Sequence, residues 1–159
     1  MNYQQWMIRS MASAFLSLSM FSSMVGAGWG ETITLNRQFR PDPLRVEGQT
    51  GGNVSLAEIA GGRGCRGFVP DRQPTFTLNL GANFPMLDIL AYSNEVNADP
   101  TMLLIGENGL VVCADNEHRG RNPQIALRLP KGTYRLWVGN RDANRPIKFT
   151  LSVSEINQK

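Results

Sequence analysis

The sequence predicts an all-β fold, an antiparallel two-sheet sandwich with one disulfide. Three observations carry this. Apolar and polar residues alternate in short runs, the pattern of half-buried antiparallel strands. Glycine, proline and asparagine punctuate the joints between the runs. Past the N-terminal segment, no stretch combines a 3.6-residue apolar period with helix caps.

Taken in order, the elements begin with Glu31–Asp42, a first strand or an extended lead-in whose strand-like part is Thr32–Leu35. Leu44–Gly48 and Val54–Ala57 are weaker candidates. Ser55–Ala60 is the most helix-like piece, and Gly61-Gly62 ends it at once. Phe76, Leu78 and Leu80 alternate with Thr75, Thr77 and Asn79 in a clear strand. Leu87–Tyr92, Met102–Ile105 and Leu110–Ala114 follow, with Asp99-Pro100 opening the second and Asn108-Gly109 turning it into the third. Ile125–Leu129 precedes Pro130-Lys131-Gly132. Tyr134, Leu136 and Val138 then form one face of a strand, and Phe149, Leu151 and Val153 one face of another. About nine or ten strands at this spacing make a two-sheet sandwich.

The chain has 159 residues, enough for one domain and a sizeable core. Its hydrophobic fraction is 42% and its charged fraction 18%, which argues against disorder. A net charge of +3 gives mild attraction to anionic surfaces but not the concentrated field of a phosphate-tracking protein. No basic run is interleaved with aromatics, so nucleic acid is not an expected partner.

Residues 1–27 are expected to be a signal peptide: Arg9 precedes the apolar run Met11–Val25, and Val25-Gly26-Ala27 offers the small residues a signal peptidase reads. A retained anchor is the competing reading. That run would make roughly 22 Å of helix, short of the ~30 Å hydrocarbon core. A membrane is thus met only through this segment if it stays uncleaved. Residues 28–42 are the lead-in and 43–156 the folded domain. The expected compartment is the periplasm or the exterior, or a thylakoid lumen. There, Cys65 and Cys113, the two cysteines of the chain, are expected to pair. The bridge would close a long loop, worth roughly 4 kcal/mol at the upper end. With one histidine in the chain, a zinc set is a poor alternative.

The stretch from Asp99 to Glu117 has an Asp-x-Thr start, an apolar strand, a Gly109 hairpin, a second strand and an acidic loop. Leu129-Pro130-Lys131-Gly132-Thr133-Tyr134 follows it, and Gly48–Gly52 and Cys65–Val69 lie upstream. In order and spacing these resemble the bacterial pre-peptidase C-terminal domain, in a secreted cyanobacterial and proteobacterial subgroup, over Pro43 to Glu155. The resemblance implies a jelly-roll-like sandwich, export and a non-catalytic role. Such domains are often appended to secreted proteases, and some bind calcium or substrate. This chain carries no protease domain, so it would act alone or on a separate partner.

Three surfaces are candidates. Asp115, Asn116 and Glu117, with Asn122 nearby, place oxygen donors together after a strand, as calcium needs, and calcium is the one candidate cofactor. A polar turn is the competing reading, and no EF-hand spacing is present. Trp137 falls opposite Tyr134, Leu136 and Val138, on an outer face beside Arg135, where it would stack on a sugar or a peptide side chain unless a loop covers it. Arg63, Arg66, Arg72, Arg119 and Arg121 lie near the cysteines, and a bridge would gather Arg66 and Arg121 with others into a patch for carboxylate, sulfate or phosphate. Ordinary solvated surface is the alternative. Catalysis finds little support, since His118 is the single histidine and no nucleophile elbow or phosphate loop exists. The expected function is a secreted, non-catalytic binding or accessory module for an extracellular or periplasmic protein or polysaccharide. An assembly subunit of an exported complex is the alternative, and a small hydrolase a distant third.

Overall fold

The structure, a computed structural model, describes residues 30–158. The expected signal peptide lies outside the described residues. The elements are β1 (Glu31–Leu35), β2 (Leu44–Thr50), β3 (Val54–Ser55), α1 (Leu56–Ile59), β4 (Phe68–Val69), β5 (Phe76–Leu80), β6 (Phe84–Tyr92), β7 (Pro100–Gly106), β8 (Val111–Ala114), β9 (Gln124–Leu129), β10 (Gly132–Asn140) and β11 (Ile147–Ser154). They form an all-β sandwich of a seven-stranded and a four-stranded sheet.

In the larger sheet, β10 is central. One flank of β10 pairs with β5 and, further along, with β4; the other pairs with β7, which pairs with β8. The smaller sheet has the order β2-β11-β6-β9, all antiparallel. One pairing departs from the antiparallel expectation. β1 runs parallel to β5, with Glu31 opposite Phe76 and Leu35 opposite Leu80. The chain leaves β1, crosses to the other sheet as β2 and returns through β3 and β4. It therefore enters β5 from the same end at which it entered β1, the crossover a parallel pair requires.

Period-two alternation explains the core. Phe76, Leu78 and Leu80 of β5, Tyr134, Leu136 and Val138 of β10, and Phe149, Leu151 and Val153 of β11 all point between the sheets and are buried. Phe76 and Phe149 meet edge to face across that gap, with centroids 6.3 Å apart. The Tyr134 hydroxyl donates to the Pro130 carbonyl at 2.8 Å, and burial of the ring raises its pKa.

A second apolar cluster lies on the outer face of the larger sheet. Leu56 and Ala60, from α1 and its end, pack with Cys65, Val69, Leu103 and Trp137. Ser55 caps α1, its hydroxyl accepting from the Ala57 amide at 3.2 Å. Cys65 and Cys113 are bonded, with Cα atoms 5.2 Å apart. The bridge ties the 60–67 loop to β8 and so holds that loop over the sheet.

Candidate binding groove

Trp137 lies on the outer face of β10, as alternation requires, but it is only 2% exposed. Residues of α1 and the bridged loop cover it, and its indole N–H donates to the Arg72 carbonyl at 3.2 Å. The stacking surface expected at Trp137 is therefore corrected. What remains outside is Arg135, whose guanidinium carbon sits 5.6 Å from the indole centroid.

In the Asp115 loop the carboxylates expected to meet calcium have partners within the protein. Asp115 Oδ2 accepts from Arg141 at 3.1 Å and from Arg66 at 3.4 Å. A dication beside that oxygen would meet two guanidiniums. Glu117 Oε2 accepts from the backbone amides of Asp115 at 2.8 Å and Gln124 at 3.3 Å, as a turn-closing acceptor does. Asn116 is exposed. Asn122 pairs through its backbone with His118. Among the described residues, no three His, Cys, Asp or Glu side chains group as a metal set. Asp99 is close to this network. Burial first, then the Asp115 charge, raises its pKa above the usual carboxylate value, and Asp142 adds to this while Arg141 and Arg121 oppose it.

The arginines divide. Arg66 and Arg141 share Asp115, and Arg72 pairs with Glu58. The other ion pairs among the described residues are Arg37–Glu155 and Arg145–Asp142. Arg45, Arg63, Arg119 and Arg121 have no carboxylate partner there.

The smaller sheet presents a different outer face. Its cross-strand rows are polar: Arg45, Ser152, Leu90 and Gln124 in one, and Glu47, Thr150 and Tyr92 in the next. Among the described residues no helix covers these rows, although the C-terminal stretch lies over the first, where Ser152 and Leu90 are buried. Two depressions lie over this sheet. One, of about 550 Å³, is lined by Glu47, Gln49, Lys148, Thr150 and Glu95 among others. The other, of about 400 Å³, is lined by Arg45, His118, Arg119, Asn122, Ser152 and Gln158 among others. Both are lined by Tyr92, Ser93 and Asn94, so the two depressions are neighbours with the tyrosine between them; together they are called the groove below. Each is within the size range of small-ligand sites.

Two local features shape the groove's second half. His118 and Asn122 exchange backbone hydrogen bonds of 2.9 and 3.0 Å, which closes a turn. Arg119 and Gly120 at its tip both have positive φ, 50° and 77°. The turn carries Arg119 to the groove wall. The C-terminal stretch supplies the other wall. Gln158 donates its amide N–H to Asp88 Oδ2 at 2.7 Å, and the Ser152 hydroxyl donates to Gln158 Oε1 at 2.5 Å. Gln124 Nε2 donates to the same Asp88 oxygen at 2.8 Å, and Asp88 is fully buried beneath them.

The residues Tyr92, Asn94, Arg45 and Lys148 were not legible as a site. A polar outer row on an antiparallel strand is the ordinary pattern, and Tyr92 at the end of such a row carries no distinguishing mark.

No family model matches the sequence, and no curated protein matches it. Among solved structures, the fold is similar to the pre-peptidase C-terminal domain of the collagenase from Bacillus anthracis. The TM-score is 0.48 at 20% identity, with 79% of this chain and 96% of that chain covered.

Proposed function

We propose that the chain is an exported, non-catalytic binding module that holds an extended polysaccharide along the groove on the smaller sheet. The observation that carries this is the asymmetry of the two outer faces. The larger sheet is covered by α1 and the disulfide-bonded loop. The smaller sheet has two adjoining depressions whose linings include amides, hydroxyls and charged groups around one half-buried tyrosine. A sugar chain presents hydroxyls for such groups and C–H faces for the tyrosine ring. A disulfide is the bond of an oxidising compartment, which supports export.

Two features weigh against a hydrolase, although Glu47 and Glu95 both line the groove. Among the described residues, His118 has no carboxylate ion pair to orient it, and Glu95 Oε1 is occupied by the Lys148 backbone N–H at 3.1 Å. An assembly subunit would offer an apolar patch to its partner. The exposed large apolar side chains among the described residues are Val96 and Ile156.

Electrophoresis through gels containing soluble polysaccharides tests the reading. At least one polymer should retard the purified protein. Tyr92→Ala should weaken that retention about tenfold, a loss of roughly 1.4 kcal/mol. Asn94→Ala should also weaken it, and its exposed side chain makes it a variant that folds. Free migration in every polymer, or undiminished retention of both variants, would overturn the proposal.

A further inference from the structure

We infer that the half of the groove walled by Arg45, His118 and Arg119 is an anion subsite, which selects polysaccharides carrying uronate or sulfate groups over neutral ones. This rests on the groove being the polysaccharide site proposed above.

The two halves of the groove differ in charge. The half around Thr150 includes Glu47 and Glu95 against one cation, Lys148. The half around Ser152 includes two arginines and the histidine, and among the described residues no carboxylate lines it. Two neighbouring acids accept hydrogen bonds within the protein through one oxygen each. Asp88 is fully buried under Gln124 and Gln158, and Glu117 faces two backbone amides. Arg45 and Arg119 have no ion pair among the described residues. Unpaired guanidiniums on a wall with amide and hydroxyl donors suit a planar carboxylate or a tetrahedral sulfate, each able to accept from a fork of N–H groups.

The backbone adds a second line of support. Arg119 is a non-glycine residue at φ 50°, next to Gly120 at φ 77°. Glycine would take the first of these positions with less strain, so the arginine stands there against the local backbone preference. A saccharide fits better than an acidic peptide strand. Among the described residues Leu90 is the one aliphatic side chain lining this half, and it is 7% exposed, so they form no alternating apolar pockets of the kind that seat a peptide.

The test compares retention by matched neutral, uronate and sulfated polysaccharides and by polyglutamate. Arg119→Gly is the main variant, because it relaxes the turn while removing the guanidinium. Arg45→Ala is the second, and Arg63→Ala, on the loop over the other sheet, is the control. The acidic polysaccharides should be held about tenfold more tightly than the neutral one. Arg119→Gly and Arg45→Ala should each erase most of that preference, weakening retention of the acidic polymers more than that of the neutral one. The uronate and sulfate arms tell which anion is preferred.

Equal retention of neutral and acidic polymers, still lost in Tyr92→Ala, would overturn the anion subsite and leave the groove reading intact. Retention of no saccharide would overturn both. An equal loss in Arg63→Ala would mean general attraction to a basic protein and would overturn the subsite. Equal, Arg119-dependent retention of polyglutamate would overturn the saccharide assignment.

Discussion

Asp99 illustrates a side chain whose chemistry is set by where the fold places it. It immediately precedes Pro100, and as a turn former it does open β7. The turn also leaves its Oδ1 buried without a hydrogen-bond partner and brings it near Asp115. Burial and that neighbouring charge both raise its pKa above 3.8, with Arg141 and Arg121 only partly opposing them. The folded state therefore binds the Asp99 proton more tightly than the unfolded chain does. At neutral pH the ionised carboxylate destabilises the fold. As pH falls through the raised value the cost is relieved, and below 3.8 the group is protonated in both states. Asp99→Asn should consequently raise the melting temperature at neutral pH, and the gain should shrink to nothing on acidification below the unfolded value. Paired thermal melts across that range check this; a variant less stable at neutral pH would show that Arg141 outweighs burial. Spacing alone could mark Asp99 as a turn residue. It could not reveal the raised pKa, because Asp115 and Arg141 arrive from distant strands.

At the level of elements, strands were legible wherever one face is buried. β5, β10 and β11 follow the alternation of Phe76–Leu80, Tyr134–Val138 and Phe149–Val153. The helix-like reading of Ser55–Ala60 holds as one capped turn, α1. The connections were less legible. Pro130-Lys131 looks like a hairpin joint, yet β9 and β10 lie in different sheets. A turn signal says that the chain reverses, not whether it returns to the same layer. Gly48 is a related case. In sequence it reads as the end of a strand, whereas β2 continues to Thr50. The glycine is there because the Phe149 ring lies against it; a Cβ would sit 2.5 Å from Phe149 Cζ. That ring is buried and held edge to face by Phe76, so it has little room to yield. Gly48→Ala should cost ~1–3 kcal/mol through overpacking. Gly64→Ala, where nothing lies within 4 Å and φ is not in the left-handed region, should be neutral or stabilise by up to ~1 kcal/mol. Urea denaturation of both variants separates the two effects, and equal midpoints would refute the role given to Phe149.

Over the whole molecule, the two outer faces are covered differently, and that difference explains why the fold was more legible than the proposed site. The core and the disulfide follow from patterns within single segments and from a cysteine count. Whether an outer face is covered depends on a segment far away in the chain. Trp137 is hidden by residues 56–69, while on the other sheet the C-terminal stretch covers Asp88 and Ser152 and leaves Tyr92 half-buried beyond it. The bridge between Cys65 and Cys113, 48 positions apart, holds the cover in place. If cover and groove are separate devices, breaking the bridge should loosen one and spare the other. Replacing both cysteines with alanine should lower stability by ~2–4 kcal/mol. Amide exchange should quicken over α1, the 60–67 loop and β8, where the bridge acts, and stay slow in β6 and β11. Polysaccharide retention at a temperature where the variant remains folded should match that of the parent, since Tyr92, Arg45 and Arg119 lie on the other sheet's side. Uniformly faster exchange would mean that the bridge supports the sandwich as a whole. Lost retention in a folded variant would mean that the covered face, and not the groove, carries the ligand.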